Sequence, residues 1–275
     1  MNAVTKRVIT AISIILFVGL GLFLLPGWVY AAVVILLIVG GLNEFYGLIE
    51  KKGIFIYKYF GIFVGVLIPL TIYFRFEPTK GWELLFIVTA TLIFFVLQFL
   101  RKDSSQAIVG ISTTLFGIFY VSWFMSFLIK IRFLLPDGIL LATFLLLVTK
   151  MGDVGAYLVG KSMGKNTLIL RISPKKTLEG SMGGLFFSIS AALISKLYLP
   201  FIPILHLLAM GVLLGFLAQL GDLCESLIKR DCQVKDSGSH LPGMGGILDV
   251  IDSIIFATPI FYYYLLYFKL VTLIP

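Results

Sequence analysis

Apolar residues in this chain come in long unbroken runs, separated by short polar clusters rich in Gly, Pro, Ser and Lys. Nine such runs stand out, at residues 8–25, 28–48, 55–74, 83–100, 107–129, 138–159, 181–198, 202–227 and 247–272. Spanning a bilayer takes about 20 apolar residues as a helix, or about 10 of alternating polarity as a barrel strand. Run length and the lack of alternation therefore predict an all-α integral membrane protein, a polytopic bundle of about nine transmembrane helices. Lys6 and Arg7 before the first run imitate a signal peptide. No small-residue cleavage site follows Pro26, so that run is expected to stay as a span.

Composition sharpens the picture. Of 275 residues, 59% are apolar and 13% charged, with a mean hydropathy of +1.05. That excludes a soluble enzyme, a disordered chain and a secreted disulfide scaffold. No stretch is long and polar enough for a separate soluble domain. The net charge of +8 reports topology before partners. Fifteen of the 22 Lys and Arg residues fall at the amino terminus and in every second loop; six lie on the opposite side and Lys150 lies within a span. By the positive-inside rule the amino terminus is cytoplasmic and the carboxyl terminus outside. With no basic stripe outside the short loops, nucleic acid is not an expected partner. Cys224 and Cys232 are too few for a disulfide framework or a zinc site.

The polar residues inside the spans carry the chemistry. Charge at the bilayer centre costs at least about 2.5–3.5 kcal/mol per residue on insertion scales. The first five spans hold one main case, Glu44, near an end. The last four hold Lys150 and Asp153, Asp222 and Glu225, then Asp249 and Asp252. At 100° per residue, Asp222, Glu225, Ser226 and Lys229 share a stripe about 100° wide. Asp249 and Asp252 share a face with Ser253 beside them, and Lys150, Asp153 and Tyr157 form a third polar stripe. Three helices thus present oxygens suited to a hard cation such as Mg²⁺.

Two loops lie between these helices. The first runs Ser173-Pro174-Lys175-Lys176-Thr177-Leu178-Glu179-Gly180, followed by Gly183-Gly184. Its lysines, hydroxyls and backbone N–H groups suit a polyphosphate, with Thr177 positioned to cap the next helix. The second runs Lys235-Asp236-Ser237-Gly238, then Pro242-Gly243-Met244-Gly245-Gly246. The stretch Gly155 to Ser162 fits a phosphate-loop pattern letter for letter, but it closes an apolar span rather than joining strand to helix, and is discounted. Gly211-x-x-x-Gly215 reads as close helix packing.

The order of these residues resembles the signature of the phosphatidate cytidylyltransferases, also called CDP-diacylglycerol synthases. It runs Ser226-Leu-Ile-Lys229-Arg230, Lys235-Asp236-Ser237-Gly238, Pro242-Gly243, Gly245-Gly246, Leu248-Asp249, Asp252-Ser253. Asp153, Ala156-Tyr157, Gly160-Lys161, Gly164-Lys165, the SPKKTLEG run and Gly221-Asp222 with Glu225 match the family's other conserved region. The detailed likeness covers roughly residues 150–260, and size and hydropathy agree over the whole chain.

The resemblance implies that phosphatidate attacks the α-phosphorus of CTP, giving CDP-diacylglycerol and pyrophosphate. It implies a catalytic set of Asp222, Asp249, Lys229, Lys235 and Asp236, with metal ligands Asp222, Asp249 and Asp252. Asp153, Ser173, Lys175, Lys176, Thr177, Ser226, Arg230, Ser237, Gly238, Gly245 and Gly246 are the expected substrate-binding residues. Mg²⁺ is the expected cofactor, alone or beside a second, monovalent cation. Residues 1–135 are expected to form supporting helices and a homodimer region, and residues 136–275 the catalytic helices, with the active site facing the cytoplasm at the cell membrane. Three positions depart from the family pattern: Met244 replaces its usual His, Val250 its usual Arg, and Lys150 an aromatic. His240 and Lys150 are the residues able to supply the missing donors. The rival readings are transfer to another lipid phosphate such as an ether lipid, a cation-coupled transporter, and a non-catalytic membrane scaffold.

Overall fold

The computed structural model describes residues 26–76, 82–238 and 245–273. The predicted run 8–25 lies outside them, as do His240 and Met244. The other eight runs each coincide with a helix: α1 (Gly27–Lys51), α2 (Lys58–Tyr73), α3 (Trp82–Phe99), α4 (Ala107–Arg132), α5 (Gly138–Met163), α6 (Leu178–Leu197), α7 (Ile204–Asp231) and α8 (Ile247–Tyr267). Among the described residues six helices are long and apolar enough to cross a membrane, α1 and α4 through α8. The apolar parts of α2 and α3 are shorter.

Strands enter only as short clips. β1 (Leu134–Leu135) pairs antiparallel with β4 (Thr272–Leu273), and β2 (Thr167–Ile169) pairs with β3 (Ser173–Thr177). The first clip ties the turn after α4 to the chain beyond α8. The second folds the first polar loop into a hairpin. Contacts gather the loops into two ends. Lys52 pairs with Asp231, Gln106 Nε2 donates to the Gly53 carbonyl, and Arg230 Nε donates to the Ile172 carbonyl. The chain after α1, α3, α5 and α7 therefore meets at one end, where the Lys and Arg residues concentrate.

In lipid, helices associate through close packing and polar contacts rather than hydrophobic drive, so small residues mark the seams. A Cβ at Gly211 would stand 2.9 Å from Ala192 Cβ, and one at Gly215 would stand 2.7 Å from Ser188 Cβ. Ser188 Oγ also donates to the Val148 carbonyl at 3.0 Å, joining α6 to α5. The Gly211–Gly215 pair is thus a packing seam, and residues 155–162 are helical within α5. Beneath them the largest core cluster includes Leu42, Phe45, Met125, Leu145, Leu214, Ile251 and Phe261.

Two irregularities have identifiable causes. Pro69 inside α2 lacks the N–H that would reach the Gly65 carbonyl. Ser122 Oγ supplies that bond instead, at 2.5 Å, from a π-helical segment of α4 at Ile118–Trp123. In α8 the ladder is interrupted at Phe256, splitting it into Ile247–Ile255 and Ala257–Tyr267. Pro259 denies the Ile255 carbonyl its usual donor, and Thr258 Oγ lies 3.1 Å from that oxygen.

Candidate active site

The site forms where α7 and α8 come closest. A Cβ at Gly221 would stand 2.2 Å from the Asp252 carbonyl oxygen, so only a glycine permits this approach. One turn of α7 carries Asp222 and Glu225, and α8 brings Asp252 opposite. One carboxylate oxygen from each of the three lies within 4.8 Å of the others. Substituting Gly221→Ala should push the helices apart and weaken divalent-cation binding by about tenfold or more, the cost of an overpacked contact being about 1–3 kcal/mol. Manganese titration of the purified variant checks this; wild-type affinity would show that the close approach does not set the cluster.

Amines face these acids from three directions. Lys176 Nζ, at the end of the hairpin, lies 2.6 Å from Asp222 Oδ2. Lys229 Nζ pairs with Glu225 and lies 2.5 Å from Asp249 Oδ1. Lys150 Nζ donates to Asp153 Oδ2 (3.2 Å), to the Val250 carbonyl (2.9 Å) and to Ser253 Oγ (2.8 Å). Ser253 Oγ in turn lies 3.0 Å from Asp153 Oδ2, closing a polar ring between α5 and α8.

Asp249 is not one of the three mutually close acids, but Lys229 joins it to Glu225, which is. Its Oδ2 accepts from Gly246 N (2.7 Å), Ser237 N (3.0 Å) and Ser237 Oγ (2.7 Å), while Oδ1 faces Lys229. It folds the second loop onto the start of α8. Gly245 holds φ +90°, and a Cβ on Gly246 would lie 2.1 Å from Ser237 Oγ, which explains the two glycines there.

The residue that sequence reasoning left without a role is Glu44. Its carboxylate is buried, accepting from Ile247 N (2.9 Å) and Leu248 N (2.8 Å), with Ser237 Oγ 2.9 Å away. A side chain from α1 thus caps the positive end of α8, 203 residues away. Its isolation as the main acid of the early spans was the available signal.

The hairpin is built to present its lysines. Thr177 Oγ1 accepts from Gly180 N at 3.1 Å, capping α6 as expected. Glu179 accepts from Lys165 N (3.1 Å) and Asn166 N (3.2 Å), pinning the base of the hairpin. Ser173 and Thr177 are half-buried; Lys175, Arg230, Lys235 and Asp236 are exposed on the same end, and Ser226 is buried in α7.

Six carboxylates (Glu44, Asp153, Asp222, Glu225, Asp249, Asp252) therefore meet three amines (Lys150, Lys176, Lys229), leaving a formal excess of three negative charges. Glu225 Oε1 is buried with no hydrogen-bond partner among the described residues. An all-oxygen cluster with spare charge and a free acceptor fits a hard divalent cation and not zinc.

Fold and site together define a polytopic helical protein with membrane-length apolar helices, in which a cluster of acids is flanked by lysines. The sequence model of the cytidylyltransferase family matches residues 5–268, and the chain belongs to that family. It is 33% identical to a phosphatidate cytidylyltransferase of Synechocystis sp., over 94% of this chain and 96% of that one. It is also 33% identical to the chloroplastic phosphatidate cytidylyltransferase 5 of Arabidopsis thaliana, over 94% of this chain and 70% of the relative. A phosphatidate cytidylyltransferase of Bacillus subtilis is 43% identical, over 54% of this chain and 56% of its own.

Proposed function

We propose that the protein transfers the cytidylyl group of CTP to phosphatidate, forming CDP-diacylglycerol and pyrophosphate. The end-to-end match to the Synechocystis phosphatidate cytidylyltransferase carries this reading. In the reaction a phosphate oxygen of phosphatidate bonds to the α-phosphorus of CTP, and the bond from that phosphorus to the bridging oxygen of pyrophosphate breaks. The attacking group is already an anion, so no Ser or Cys nucleophile is required.

Asp222 and Asp252, as expected, together with Glu225 in the place expected of Asp249, would hold the divalent cation, with Mg²⁺ the candidate by donor type. When bound, such an ion offsets the charge of the triphosphate. Asp249 acts beside it, holding Lys229 and the Ser237 loop in position. Ser173, Lys175, Lys176 and Thr177 on the hairpin bind the triphosphate; Lys229, Arg230, Lys235, Asp236, Ser237 and Gly238 line the lipid-phosphate side. Val250 lacks the guanidinium that the resemblance leads one to expect, and Lys150 brings a cation to its carbonyl from α5. On the reading of about nine spans with a cytoplasmic amino terminus, the basic loop end and the site with it face the cytoplasm. Residues 1–135 support the catalytic helices and supply the surface for a homodimer.

The Lys176–Asp222 pair has a consequence for ligand order. Replacing Lys176→Met removes a competing cation from Asp222 and a donor from the triphosphate. Nucleotide-free manganese affinity should then rise severalfold, and CTP affinity should fall about tenfold, the scale of one charge-assisted hydrogen bond. Paramagnetic-resonance titration and equilibrium dialysis read the two changes; a parallel fall in both would mean that Lys176 does not occupy the cation's place. The lipid assignment is tested by turnover on phosphatidate beside an ether-linked lipid phosphate of equal chain length. Phosphatidate should be preferred, and faster use of the ether lipid would transfer the assignment to it.

A further inference from the structure

One polar group at the centre of the molecule has no assigned task. Tyr120 sits in the π-helical segment of α4 and is 2% exposed, yet its hydroxyl has no hydrogen-bond partner among the described residues. Its ring is held on three sides, stacked on Phe116 at 5.5 Å and tilted against Phe45 and Phe256 at 6.3 and 5.8 Å. Phe256, against which the ring is tilted, lies about one helical turn past Asp252 on α8, and Asp252 is a member of the acid cluster.

A buried hydroxyl without a partner costs free energy, and a phenylalanine would fill the same space without that cost. The other hydroxyl of the π segment, Ser122, shows what a satisfied one looks like: it bonds the Gly65 carbonyl that Pro69 leaves free. Nothing comparable is offered to Tyr120. Single-turn π segments often re-aim side chains at functional sites. A partnerless phenol packed against the α8 segment that carries Asp252 is placed to meet an oxygen that a cation in the cluster would bring.

We propose that the Tyr120 hydroxyl donates a hydrogen bond to an oxygen in the shell of the cation held by Asp222, Glu225 and Asp252, that oxygen belonging to water or to a nucleotide phosphate. This rests on the reading of the cluster as a cation site. It extends the site to α4, in the half of the chain expected only to support it.

The test is Tyr120→Phe in the full-length protein, with manganese as the probe ion. The ring contacts with Phe45, Phe116 and Phe256 survive the substitution, and the metal-free variant should unfold at the wild-type temperature or above it. If the oxygen is water, manganese without nucleotide should bind about tenfold more weakly. If it is a phosphate oxygen, manganese affinity stays at the wild-type value and CTP affinity at saturating manganese falls about tenfold. Unchanged affinity for both would overturn the proposal, as would a lowered unfolding temperature, which would reveal a structural partner for the hydroxyl. A wild-type protein that binds no manganese would instead overturn the cation-site reading beneath it.

Discussion

Replacing Asp222→Asn is expected to reduce CTP turnover roughly a thousandfold while leaving the helices packed, the scale seen when a charge-stabilising group is removed from an active site. The change keeps the shape of the side chain and removes one charge of the three-acid cluster. Asp222 is only partly buried, its side chain 36% exposed, so the fold does not lean on it. Its one ion pair, to Lys176, comes from the hairpin rather than from the core. Manganese binding should fall with turnover, since the asparagine oxygen is a weaker donor for a hard cation. Asp231→Asn is the matched control: that carboxylate is exposed and pairs with Lys52 at the loop end. Its turnover should remain at the wild-type rate.

The second large effect belongs to Glu44. Glu44→Ala should destabilise the protein by about 2–4 kcal/mol, because the Ile247 and Leu248 backbone N–H groups lose their buried acceptor together. The damage concentrates at the start of α8 and the Ser237 loop, where Asp249 and Lys229 are organised. Activity should therefore fall with stability. Glu44→Gln keeps one carbonyl oxygen as an acceptor and should cost less than half as much. Thermal unfolding in detergent orders the three proteins. Equal stability for all of them would mean that water replaces the carboxylate, and that α1 is not joined to the catalytic helices through this contact.

Periodicity was enough to locate eight of the predicted runs, since a helix in lipid must be long and apolar whatever it packs against. The spacing of Asp222, Glu225 and Lys229 on one stripe was legible for the same reason: it depends only on helical geometry. What stayed hidden required knowledge of which helices meet. Asp249 and Asp252 read alike as a pair three residues apart, yet one is tied to Lys229 and Gly246 while the other faces Asp222. Glu44 reaches α8 across nearly the whole chain, and Tyr120 looks like any aromatic in an apolar span. The break in α8 was foreshadowed by Pro259, but the π segment of α4 has no signature in local composition. The hairpin at 167–177 was read as a loop because both strands are short and the second is polar, its base pinned by Glu179.

The account stands most directly on one reaction. Purified protein in mixed micelles, given phosphatidate, Mg²⁺ and CTP labelled at the α-phosphate, should move the label into a lipid product, CDP-diacylglycerol. Pyrophosphate should be released one for one, the product should disappear with a metal chelator, and Asp222→Asn should make almost none. Folded, CTP-binding protein that leaves all label in the aqueous nucleotide, with every lipid phosphate offered, would contradict the assignment.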